Sequence, residues 1–235
     1  MAQKKIFFLV FFLVVVFTLS AQNRDIGNHS YVIRGEVYVD FEPIFAGHVD
    51  SEFPLDIPTA GRRALHEAAL FFSAMIYGWS FNYEVGERAR QLDEILELEL
   101  LGSIQFGDPQ LRVTHTEVRG TQLFVWADYH LSDAQQRRMQ MWRSGTFRNA
   151  QGLGFGPAFL PEYPGWLAVK EMALEDAARA AIRGILRANE RNRPRKAVGF
   201  ISLASFPRFY IDAGRWAASA RFRVQITEII PFAVH

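Results

Sequence analysis

From Trp216 to Thr227 the chain alternates. Trp216, Ala218, Ala220, Phe222, Val224 and Ile226 form an apolar series, interleaved with Ala217, Ser219, Arg221, Arg223, Gln225 and Thr227. A period of two held this long requires a strand with one face on a core. Upstream, Trp166 to Ala188 has helical periodicity. Leu174, Ala177, Ala178, Ala181, Ile182 and Ile185 fall on one side of the wheel, and Asp176, Arg179, Arg183 and Arg187 on the other. Its small alanines let such a helix lie close to a sheet. Between the two, Ala197–Ala204 and Arg208–Ile211 are expected as strands, the second ending in the turn Asp212-Ala213-Gly214.

The earlier part of the chain follows a similar order. Tyr31 to Phe41 alternates as a strand, and Thr59 is the expected N-cap of a helix from Ala60 to Tyr77. Arg63, His66 and Glu67 share one sector of that helix, while its C-terminal half is apolar nearly all round. Trp79 to Val85 and Leu96 to Phe106 alternate again, although Asp93–Leu101 has good helix formers. Leu111–Val118 and Gln122–His130 are separated by Arg119-Gly120-Thr121, so the strands from Leu96 onward are expected to form an antiparallel meander. Ser132 and Gln135 fit a capping box opening a short helix to Arg143, with Leu131 as its staple. Residues 144–165 hold five glycines and three prolines and are expected as a long loop.

These patterns give an α+β fold, antiparallel sheets with helices on one face. A two-half repeat is a further expectation, with halves 30–143 and 166–230 joined by loop 144–165. Ala64-Leu65-His66-Glu67-Ala68-Ala69 matches Ala173-Leu174-Glu175-Asp176-Ala177-Ala178 at four of six positions.

The first residues are of another kind. Lys4 and Lys5 precede an apolar run, Ile6 to Phe17, and then Thr18, Ser20, Ala21 and Gln22. This is the pattern of a secretory signal peptide over residues 1–21. The run would span about 18 Å as a helix, short of the roughly 30 Å hydrocarbon core. The alternative is an uncleaved inner-membrane anchor at residues 6–19, the one case that implies membrane contact.

Cleavage leaves residues 22–235. Loss of two lysines takes the formal charge from +1 to −1, so the basic total gives no argument for nucleic acid. Cysteine is absent, which excludes disulfides and lipid attachment after the apolar run. A chain this long buries enough apolar surface without cross-links. The expected location is the bacterial periplasm, or the exterior.

Few catalytic templates fit. The six histidines have no ligand spacing; His115 and His130, on neighbouring strands, make at most two ligands, so no metal is expected. There is no cysteine nucleophile and no G-x-S-x-G elbow. Gly152-Leu153-Gly154-Phe155-Gly156 departs from the dinucleotide fingerprint, and no cofactor is expected. Glu171 and Glu175 stand one helical turn apart, on a face expected to be solvated and salt-linked to Arg179.

Two binding candidates remain. Arg187, Arg191, Arg193, Arg195 and Lys196 crowd one helix end and its loop, where guanidinium forks would hold an anionic cell-wall component or the acidic surface of an envelope protein. Phe124 and Trp126 share a strand face with Asp128 and His130; exposed, such rings stack on sugars, and buried they are core. Trp79, Phe81 and Tyr83 form a second aromatic row.

The helix and antiparallel strands over Trp166 to Ile229 resemble small periplasmic modules of flagellar-assembly proteins and bacterial envelope lipoproteins. That resemblance implies a fold and no residue roles; the lipoprotein cysteine is missing. The expected function is non-catalytic binding or assembly in the envelope, with catalytic residues unknown. The alternative is a saccharide- or peptidoglycan-active enzyme or sugar-binding module using the aromatics and carboxylates.

Overall fold

The computed structural model describes residues 31–43, 53–86, 92–158, 165–189 and 194–231. The signal segment and Arg191 and Arg193 lie outside these residues. The chain is α+β. Its elements are β1 (Val32–Asp40), α1 (Ile57–Ile76), β2 (Trp79–Glu84), β3 (Ile95–Leu100), β4 (Leu111–Arg119), β5 (Gln122–His130) and α2 (Asp133–Trp142), followed by β6 (Arg148–Ala158), α3 (Trp166–Asn189), β7 (Pro194–Leu203), β8 (Arg208–Asp212) and β9 (Arg215–Pro231). All strand pairs are antiparallel. One sheet has the order β1-β5-β4 and the other β3-β2-β7-β9-β6, with β8 also paired to β9.

The expected meander is corrected: β3 pairs with β2 in the larger sheet, and only β4 and β5 continue together. The alternation through Leu100 gave the strand, but one strand's period does not say which neighbour it meets.

The expected loop over 144–165 is corrected as well, because β6 occupies Arg148–Ala158. Its glycines admit the helix. A Cβ on Gly152 would stand 1.8 Å from the Ala177 carbonyl oxygen, and one on Gly154 1.9 Å from the Ala177 nitrogen. The strand and α3 therefore meet backbone to backbone, and Asp176 accepts a hydrogen bond from the Phe155 amide at 3.0 Å. β6 lies at the sheet edge, where glycine and proline are tolerated in a strand.

The long strand β9 organises the larger sheet. β7 and β8 lie end to end along one side of it, from Pro231 to Phe222 and from Ser219 to Arg215, while β6 follows the other side. In the break between β7 and β8, Phe206 packs against Phe72 of α1, ring centroids 4.8 Å apart, and reaches the smaller sheet at β1. Gly35 of β1 leaves room for it: a Cβ there would be 2.0 Å from the Phe206 ring.

Helix α1 packs on β1, β5 and β7, so it touches both sheets. Its run Phe71 to Ile76 is buried, as the apolar C-terminal half requires. Its start differs from expectation, since Asp56 rather than Thr59 is the cap and accepts from the Thr59 amide at 2.7 Å. Pro58, placed in the first turn, fits that earlier start. Helix α2 has the expected capping box, with Ser132 and Gln135 satisfying each other's backbone amides.

Candidate ligand-binding face

Strand β5 separates its side chains cleanly. Leu123, Val125, Ala127 and Tyr129 are buried in the core, while Phe124 and Trp126 are half-buried on the other face. Trp126 is flanked by the His115 ring at 5.0 Å and the Phe124 ring at 6.3 Å. The Arg119 guanidinium stands 4.6 Å from the Phe124 centroid and 5.4 Å from that of Trp126. Tyr38 extends the aromatic row from β1, 5.6 Å from Phe124.

Beside these rings lies an open depression of about 630 Å³, lined by Arg34, Glu36, Thr114, His115, Trp126 and Asp128 among others. Arg34 donates to Asp128 at 3.1 Å, and Arg119 to Glu117 at 2.6 Å. Arg119 holds the Glu117 carboxyl below its ordinary range, and Glu117 in turn raises the guanidinium. The face thus presents aromatic π-surface beside oriented charge, suited to stacking with hydrogen bonds at the margin.

The two histidines do not meet. The register sets His115 opposite Trp126 and His130 opposite Val32. Among the described residues no group of three or more histidines, cysteines or carboxylates is placed to hold a metal. The other aromatic row is core, with Phe81 and Tyr83 buried and Trp79 packed against them.

At the basic helix end, Arg187 and Arg195 are exposed, and Lys196 stands 3.7 Å from Glu84. The expected Glu175–Arg179 ladder is replaced by other partners. Arg179 bonds Asp176 at 2.8 Å, and Arg183 donates to Glu94, through Nε at 2.9 Å. Tyr83 also donates to Glu94. Burial works against the Glu94 carboxylate, but the bonds from Arg183 and Tyr83 outweigh it and hold the carboxyl below its ordinary value. Burial and that same bond push Tyr83 up to about 12. Burial, reinforced by Glu175, raises Glu171.

The polar sector of α1 is a further correction: Arg63 and Glu67 are buried. Glu67 pairs with Lys170 of α3, whose ammonium lies 4.7 Å from the Trp216 centroid and 5.4 Å from those of Tyr38 and Phe209. Arg63 stands 5.2 Å over Phe53 and 5.3 Å over Trp166. A helical wheel places these charges together but does not show that a second helix covers them. The one hint is that Lys170 is among only two lysines beyond residue 21, in a chain whose other basic groups are arginines.

A family model matches residues 22–232, for a domain of unknown function. The chain belongs to that family. A relative described as an uncharacterized protein, from Treponema pallidum (strain Nichols), is 25% identical over 224 residues, covering 88% of this chain and 91% of the relative. No solved structure matches the chain. Among the described residues no helix is long and apolar enough to cross a membrane.

Proposed function

We propose that the protein is an exported bacterial envelope protein that works by binding or assembly, with the Trp126 face as its ligand surface. The observation that carries this reading is the half-buried indole set between His115 and Phe124 beside an open, charge-lined depression. Of the charges around it, Arg34 is paired with Asp128 and Arg119 with Glu117, which suits orienting a ligand, and the Glu36 carboxylate opposite Trp126 is placed to accept hydrogen bonds from one. Export is supported by the basic, apolar and small-residue pattern of residues 1–21, and the family match begins at residue 22.

A saccharide of the cell wall is the ligand class that an indole platform with flanking carboxylate and guanidinium fits best. The test titrates the purified protein with peptidoglycan and polysaccharide fragments while following tryptophan fluorescence. Quenching that disappears in Trp126→Ala supports the face; quenching unchanged in that variant removes it. Hydrolysis of the fragments, lost on a single carboxylate substitution, would replace binding with catalysis. The intact mass of protein recovered from the envelope tests export, since a species beginning at Met1 in the membrane pellet would give an anchored protein.

The internal repeat is part of the same reading. With β6, which falls in the expected joining segment 144–165, added to the second half, the strand before each helix lies against the last strand of its half, β1 on β5 and β6 on β9. Strands β2 and β3 of the first half cross to the larger sheet. The matched alanines Ala64, Ala68 and Ala69, and Ala173, Ala177 and Ala178, are all buried. Aligned relatives whose two halves do not keep that alanine register would dismiss duplication.

A further inference from the structure

Strand β4 has one side without a partner among the described residues. It pairs with β5 along the other, and every residue after Leu111 is exposed. Val113 and Val118 are 44% and 52% exposed, although they point to the same side of the sheet as the core residues Ala127 and Leu123. Unpaired backbone groups with exposed valines form a template for another strand.

The bulge between Val113 and His115 decides which strand fits. Register with β5 places Leu111, Val113, Thr116 and Val118 on the core side, and Arg112, Glu117 and Arg119 on the Trp126 side. The extra residue shifts the alternation by one within the strand. A two-fold-related copy laid antiparallel then sets Leu111 opposite Val118, Arg112 opposite Glu117 and Val113 opposite Thr116. Each pair shares a face, and the only charged pair has opposite signs.

The registers shifted by two residues set Arg112 against Arg119 or against His115, and the first of them also faces His115 with Thr116, which point to opposite sides of the sheet. On edge strand β3, Glu97 and Glu99 share one exposed face, so a second copy brings carboxylates together. On edge strand β1, Val37 and Val39 are buried, Arg34 is held by Asp128, and the Tyr38 hydroxyl donates to the Phe209 carbonyl at 3.0 Å. Charges and bulges ordinarily discourage edge pairing; on β4 they are arranged so that they complement themselves.

We infer that β4 is a homodimer interface, in which two copies pair antiparallel about a two-fold axis between Thr114 and His115. The smaller sheet then runs continuously through both copies, with the two Trp126 faces on the same side. Sedimentation velocity of the purified protein at micromolar concentration tests this. The expected result is a dimer that Glu117→Arg weakens about tenfold or more and that Arg112→Glu with Glu117→Arg restores. A monomeric parent protein overturns the inference, as does a dimer indifferent to Glu117→Arg or a charge-swapped double variant that stays monomeric.

Discussion

Lys170 Nζ lies 2.7 and 2.9 Å from the two carboxylate oxygens of Glu67, joining α3 to α1 across 103 residues of sequence. Burial pushes the Glu67 carboxyl above its ordinary value while Lys170 opposes the shift. The pair holds the helices only while both members are present.

Lys170→Met is therefore expected to cost about 3–5 kcal/mol, because Glu67 is left charged and buried without its partner. Adding Glu67→Gln should recover a large part of that loss in urea denaturation. The sign of the pH response follows: a raised carboxyl favours the fold when protonated, so the Lys170→Met deficit shrinks as acid protonates Glu67 and grows as pH rises. A pH-independent deficit would mean that Glu67 is not the group responsible.

Gly152→Ala and Gly154→Ala each drive a Cβ into the backbone of α3. A loss of about 1–3 kcal/mol or more is expected for each, since neither backbone can yield without parting strand from helix. Gly184 gives the opposite result. It lies within α3 with open space where a Cβ would stand, so Gly184→Ala should stabilise by about 0.5–1 kcal/mol. Thermal melts of the three variants check both directions.

Glu94 is held below its ordinary value of 4.5. Its contribution is present above that value and lost as pH falls through the lowered one. Glu94→Gln should melt below the parent protein at neutral pH, with the gap closing under acid. A gap that widens in acid would show that Arg183 and Tyr83 are not what holds the carboxylate.

Asp56→Ala should lower the Tm of the protein more than Thr59→Ala, because Asp56 accepts from the Thr59 amide. Equal effects would return the cap to the threonine.

Much of the architecture was legible from periodicity. β1, β2, β5 and β9 alternate as half-buried strands do, and α3 shows its alanine stripe. The sequence pattern of Ser132 and Gln135 marks α2. β6 was hidden because glycines that admit a helix resemble glycines that break a strand, and only the position of Ala177 tells them apart. Arg63 and Glu67 were hidden for a related reason: polar side chains read as wet until a second helix brings a counter-charge. Of the candidate residues, Phe124 and Trp126 could be placed on a face from spacing alone. Whether that face was covered depended on which strands flanked β5, and single-strand periodicity does not encode that.

Gly35 lines the depression beside Trp126 on one side of β1 and meets the Phe206 ring on the other. The floor there is one peptide thick, with no side chain to cushion it. Its height is set from beneath by a residue that the larger sheet supplies at the break between β7 and β8. A ligand pressing on this floor and a change at that break would act on the same backbone atoms from opposite sides.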